Sequence, residues 1–193
     1  KEIVEKLEGR CASEYKLDGE RIQIHKSKDV ITFFSRRLEN ITAHYPDGVE
    51  LVGTHLRARE AIAEAECVAI NIDTGELLPF QELMHRRRKY GIEEAMKAYP
   101  ISLFFFDLLY VNGKDLTLKP YSVRRKKLEN IVKTDERVRV VPNLYSDKPE
   151  EIEKFMQEAI TEGCEGLVVK DTNSTYRAGA REFSWIKLKR EYR

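Results

Sequence analysis

Residues 101–111, Ile-Ser-Leu-Phe-Phe-Phe-Asp-Leu-Leu-Tyr-Val, constrain the fold more than any other stretch. A run this apolar cannot alternate between core and solvent, so it predicts a strand in the interior of a sheet. Asn112-Gly113 then ends it with a tight turn. Residues 60–72 read as a second core strand. Ile22 and Ile24 alternate with Gln23 and His25, the pattern of a half-buried strand, and Lys28-Asp29 turns the chain into another at 30–35. Short strands are expected at 137–141, 165–170 and 185–190. Helices are expected at 2–8, with Gly9 as the stop, at 122–132 and at 149–161. In the last, Ile152, Phe155, Met156, Ala159 and Ile160 share one face. Strands and helices mixed without regular βαβ alternation predict an α+β fold of antiparallel sheets flanked by helices. No Pro/Gly/Ser linker interrupts the chain, so a single domain over 1–193 is expected.

Composition excludes several classes. Hydrophobic residues make up 41% of the chain, too many for a disordered one. Charged residues reach 35% yet nearly cancel to +1, so net charge carries no nucleic-acid signature; so dense and balanced a population suits the surface ion-pair networks of a thermophile. No apolar run reaches the length of a membrane span, and the N-terminus lacks the apolar core of a signal peptide. Cys11, Cys67 and Cys164 are far apart and odd in number, which argues against a disulfide framework or a zinc site and for reduced thiols in a cytosolic protein. The histidines form no H-x-x-x-H or nucleophile–base pair, and neither GxxxxGK[ST] nor GxGxxG occurs.

The chemistry starts at Lys16-Leu17-Asp18-Gly19-Glu20-Arg21, a lysine at a strand end beside a tight turn. The pattern K-x-D-G-x-R arises by chance on the order of once in several hundred chains of this length. By itself it is equally a charged hairpin with Asp-Gly at the bend. A lysine nucleophile needs a neutral amine, whereas a free lysine, with pKa about 10.4, is protonated at neutral pH. Nearby cations or desolvation favour the neutral form, and Lys187 and Lys189 are available as cations.

Further clusters follow in order: Glu14 before the lysine, Ser35-Arg36-Arg37, Glu66 in AEAECVAI, Phe106-Asp107 in LFFFDLLYVNG, Glu165 to Lys170 in EGLVVK, and Lys187 and Lys189 in WIKLKR. With these the chain resembles the ATP-dependent DNA ligases of the covalent nucleotidyltransferase superfamily over essentially its whole length. EYKLDGER, AEAECVAI, LFFFDLLYVNG, EGLVVK and WIKLKR look like that family's motifs I, III, IIIa, IV and V, and FFSRRLENITAHYPD is similar to the segment after motif I. The resemblance implies an ATP-grasp-like covalent nucleotidyltransferase domain. It implies that Lys16 attacks the α-phosphorus of ATP to form a lysyl-AMP, with Asp18 orienting the turn. Glu14 would face the adenine amino group, Phe106 would stack on adenine, and Arg21 and Arg36 would contact ribose or phosphates and later the nick. Glu66 would bind the ribose hydroxyl or help place metal, Glu165 would help coordinate Mg²⁺, and Lys187 and Lys189 would neutralise the α-phosphate. Lys170 and Arg181 are further phosphate candidates. Phe104, Phe105 and Trp185 are expected to pack, and the basic runs 85–89 and 124–127 to form solvated helix faces.

The resemblance also implies nicked double-stranded DNA as substrate, a monomer, a cytoplasmic location (nuclear in a eukaryote), and DNA-binding and OB-fold domains outside the chain, through which a sliding clamp would bind. Without an OB domain, slow self-adenylation and no efficient sealing are expected. Other readings are an mRNA capping guanylyltransferase, an RNA ligase, and a non-catalytic binding scaffold.

Overall fold

The computed structural model describes residues 1–88, 91–178 and 185–189. In chain order its elements are α1 (Glu2–Lys6), β1 (Cys11–Lys16), β2 (Glu20–Ser27), β3 (Val30–Ser35), α2 (Pro46–His55), β4 (Glu60–Ala69), α3 (Phe80–Arg88), α4 (Ile92–Ala98), β5 (Ile101–Val111), β6 (Lys114–Asp115), α5 (Tyr121–Ile131), β7 (Val138–Val140), β8 (Asn143–Tyr145), α6 (Pro149–Thr161), β9 (Gly166–Asp171) and β10 (Trp185–Lys189). The chain divides into two compact units, Lys1–Leu17 with Thr117–Val123 and Val141–Arg193, and Asp18–Leu116 with Arg124–Val140.

The first unit is built on an antiparallel sheet of order β10-β9-β1-β8. One face packs on α6, where the Tyr15 and Phe155 rings lie 4.9 Å apart. That burial, together with Glu162, pushes the Tyr15 hydroxyl up to about 12. The apolar stripe expected on residues 149–161 is therefore the stripe that covers this sheet.

The second unit holds a sheet of order β3-β2-β4-β5-β6, with β7 beside β5. The apolar run 101–111 occupies its interior, flanked by β4 on one edge and by β6 and β7 on the other. All pairings are antiparallel except β5 with β7, which run parallel. Asn112 and Gly113 both take positive φ, as a two-residue β5–β6 hairpin turn requires. In β4 the residues Ala61, Ala63, Ala65 and Cys67 all face the core, with Ile22, Ile24, Phe33 and Leu103 in the same cluster. Small side chains there let α3 pack close on β4, while α2 packs on β3 and β5.

Three features depart from the sequence expectations. Lys16 and Glu20 do not flank a hairpin: β1 pairs with β8 and β9, whereas β2 pairs with β3 and β4. Helices α2 and α4 form where the pattern assigned no element, and α3 starts at Phe80, ahead of the basic run expected to be a helix face. The basic runs are not wholly solvated, because Arg86, Arg124 and Arg125 are buried. Arg86 pairs with Asp47 and lies 5.1 Å over the Tyr45 ring. Arg124 binds Asp107 through Nε at 2.8 Å and a terminal nitrogen at 3.2 Å. Both partners of that pair are buried, so removing the cation strands a carboxylate in the interior. Arg124→Met is expected to lower unfolding stability by about 3–5 kcal/mol, measured as a fall in the urea midpoint.

Candidate active site

In the first unit the strand register assembles a polar sheet face. Directly opposed residues on neighbouring strands point the same way. Lys16 opposes Gly166, which opposes Lys189; Glu14 opposes Val168, which opposes Lys187. Lys16, Lys187 and Lys189 therefore share one face, although some 170 residues of sequence separate the first from the others. Gly166 in the middle of the Lys16–Lys189 row adds no side chain between them. Lys187 and Lys189 are exposed, and Lys16 is half-buried. The Lys16 ammonium is ion-paired with the Glu165 carboxylate, and the Glu165 N–H donates to the Lys16 carbonyl at 2.9 Å.

Two residues back along β1, Glu14 is buried among polar partners. Its Oε1 lies 2.5 Å from the Lys170 ammonium, and its Oε2 accepts a 2.5 Å hydrogen bond from the Tyr121 hydroxyl. Lys170 also lies 5.4 Å from the centre of the Tyr121 ring. Lys170, a phosphate candidate by sequence, is here a buried counterion of Glu14. Tyr121 is a member of this cluster that the sequence does not announce, since a tyrosine at a helix start reads as packing.

In the second unit the site residues lie on the sheet face opposite the alanines of β4. Arg21 of β2 opposes Glu66 of β4, and Gln23 opposes Glu64. Arg21 donates from Nε to Glu64 at 2.5 Å, and its guanidinium carbon lies 5.4 Å from the centre of the Phe106 ring. Phe106 owes its position to a β-bulge. Glu64 pairs with Asp107 and Ala65 with Phe105, which leaves Phe106 as the extra residue. Bulges re-aim a side chain out of strict alternation. Phe106 is accordingly half-buried while Phe104 and Phe105 are buried, the division that the sequence predicted among the three.

Asp18 accepts a hydrogen bond from the Phe80 N–H at 3.1 Å and so caps the start of α3. Arg36 is exposed at the turn after β3, where Ser35 Oγ accepts from the Arg37 and Glu39 N–H groups, both at 3.2 Å. Arg181 lies outside the described residues. Among the described residues no group of three or more His, Cys, Asp or Glu side chains is set to hold a metal, and no helix is long and apolar enough to cross a membrane.

A family model described as ATP dependent DNA ligase domain matches residues 1–189. DNA ligase 2 of Thermofilum pendens is 53% identical over 100% of the chain, and the DNA ligase of Cenarchaeum symbiosum 54% identical over 100%. The chain covers 32% and 33% of these two proteins, so it spans about a third of the length of the curated relatives it matches. Among solved structures, mycobacterial DNA ligase D complexed with ATP and MES superposes with TM-score 0.72 at 25% identity, covering 93% of this chain and 54% of that one. Chlorella virus DNA ligase-adenylate shares the fold, with TM-score 0.63 at 15% identity over 96% of this chain and 64% of that one.

Proposed function

The chain belongs to the ATP dependent DNA ligase domain family, and from that premise we propose that it carries the self-adenylation step of a DNA ligase, with Lys16 as the residue that accepts AMP. The observation that carries the proposal is the register of the first unit, which sets Lys16 on one face with Lys187 and Lys189 beside the Glu165 carboxylate.

The neutral Lys16 amine attacks the α-phosphorus of ATP. A P–N bond forms, the bond from α-phosphorus to the bridging oxygen breaks, pyrophosphate leaves, and the attacking nitrogen gives its proton to solvent. In the ion pair with Glu165 the lysine is an ammonium with no lone pair to offer, so attack requires it first to give up a proton. Lys187 and Lys189 put compact positive charge where the phosphates develop negative charge, the main requirement of nucleotidyl transfer. In the second unit Phe106 offers adenine a stacking face, Glu66 accepts from a ribose hydroxyl, and Arg21 and Arg36 meet ribose or phosphate and later the nick. Glu14, already held by Lys170 and Tyr121, presents a fixed acceptor to the adenine amino group.

The family uses ATP, and the donor set suits Mg²⁺, which keeps much of its water and takes only one or two carboxylates beside substrate phosphates. Glu165 or Glu66 would hold it, and the ion would supply charge neutralisation on the phosphates. In the longer protein the AMP would pass to the 5′-phosphate of nicked double-stranded DNA for sealing.

Incubating the chain with Mg²⁺ and either ATP or GTP, then weighing it intact, tests this reading. The expected result is one AMP added from ATP and nothing from GTP. A GMP adduct would move the chain to the capping guanylyltransferases. No adduct from either nucleotide, with an OB-fold domain restored as well, would refute it.

A further inference from the structure

We infer that Glu64 is a positioning residue for nucleotide chemistry, acting by fixing the guanidinium of Arg21. The inference rests on the reading above that the Arg21 face of the second unit meets nucleotide. Two carboxylates, Glu64 and Glu66, sit two residues apart on the same face of β4, and they differ in burial. Glu66 is half-buried. Glu64 is only 2% exposed, spends Oε2 on the Arg21 Nε–H at 2.5 Å, and leaves a buried Oε1 without a hydrogen-bond partner. A buried carboxylate oxygen with no donor is costly, and an apolar side chain would fill the space without that cost. A core-filling role therefore does not account for a glutamate here.

What the charge achieves is directional. Arg21 has a side chain 35% exposed and a rigid planar fork. Bonding through Nε fixes the plane of the fork without using its terminal amino groups for that bond. The same guanidinium lies 5.4 Å from the centre of the Phe106 ring, so Glu64 on one side and the bulged phenylalanine on the other define its place. A guanidinium held in advance meets a phosphate or ribose oxygen without first losing its rotational freedom, and the gain appears in ATP affinity and transfer rate. Glu64 acts through Arg21 and need not touch the nucleotide.

The test combines a spectroscopic and a kinetic readout on the 193-residue chain. With ¹⁵N-arginine, the Arg21 Nε–H signal, assigned by its loss in Arg21→Lys, is expected to exchange slowly with solvent in the wild type. In Glu64→Gln, which keeps the shape and removes the charge, that protection is expected to vanish. The ATP concentration for half-maximal AMP attachment is expected to rise about tenfold. In an Arg21→Gln background, Glu64→Gln is expected to add nothing further, because the two residues act as one unit. Should Glu64→Gln not fold, Arg21→Lys, which keeps a cation but loses the fork, carries the same kinetic expectation. Unchanged Nε–H protection in Glu64→Gln, or independent additive losses, would overturn the inference. A wild type that takes no AMP would instead count against the enzymatic reading, and the Nε–H signal would still decide the positioning.

Discussion

Lys16→Ala is expected to take no AMP at any ATP concentration, while folding as the wild type does. The adduct is a bond to the lysine nitrogen, so its loss removes the reaction instead of slowing it. The fold should tolerate the change, because Lys16 is a strand-end residue on a polar face. Its partner Glu165 has a side chain 35% exposed and can turn to water when the ammonium is gone. Lys16→Arg should be equally inert, since a guanidinium stays protonated and cannot attack. Circular dichroism and ATP binding by equilibrium dialysis separate this outcome from misfolding. An alanine variant that still gains AMP would place the nucleophile elsewhere.

Gly166→Ala is expected to abolish AMP attachment by a different route, disrupting the sheet face that supports Lys16. Gly166 takes φ +145°, where an L side chain is strained, and an added Cβ would lie 2.0 Å from the Leu188 carbonyl oxygen. That atom belongs to the backbone of β10 and cannot step aside as a side chain could. The strand pairing Leu188↔Leu167 and Lys189↔Gly166 would have to open, and Lys187 and Lys189 would leave the Lys16 face. Backbone strain of this kind alone costs about 1–3 kcal/mol, and the lost pairing adds to it. Hydrogen exchange should show β10 amides losing protection while those of β2 and β4 in the other unit keep theirs. Wild-type protection on β10 would show that the sheet accommodates the methyl group.

The sequence carried the elements that repeat a strong pattern. The interior position of residues 101–111, the α6 stripe and the Asn112-Gly113 turn all follow from local chemistry, and the structure has them. The separation of β1 from β2 does not, because Asp-Gly between two strands is also the signature of a hairpin. Only the long-range pairings with β9 and β4 decide which sheet each strand joins. Helices α3 and α4 are short and polar, so no apolar period stands out. Arg86 and Arg124 look like solvent-facing charges until the acids that bury them, Asp47 and Asp107, are known to lie beside them. At the site, Phe106 was distinguishable from Phe104 and Phe105 only by standing next to Asp107; the physical reason is the bulge, which depends on pairing with β4. Glu64 had a local signal, a second carboxylate two residues from Glu66 in an apolar strand. That signal is weaker than the motif around Glu66. The Glu14–Lys170–Tyr121 cluster had none, since its members come from three separate parts of the chain.

The most direct test of the central claim is to locate the AMP. Lys16, Lys170, Lys187 and Lys189 all project from one sheet, so the register leaves several amines as formal candidates. The wild-type chain would be incubated with ATP and Mg²⁺, digested at neutral pH to spare an acid-labile P–N bond, and the labelled peptide fragmented in a mass spectrometer. AMP on Lys16 alone is the predicted result. AMP on Lys170, Lys187 or Lys189 with Lys16 unmodified would contradict it.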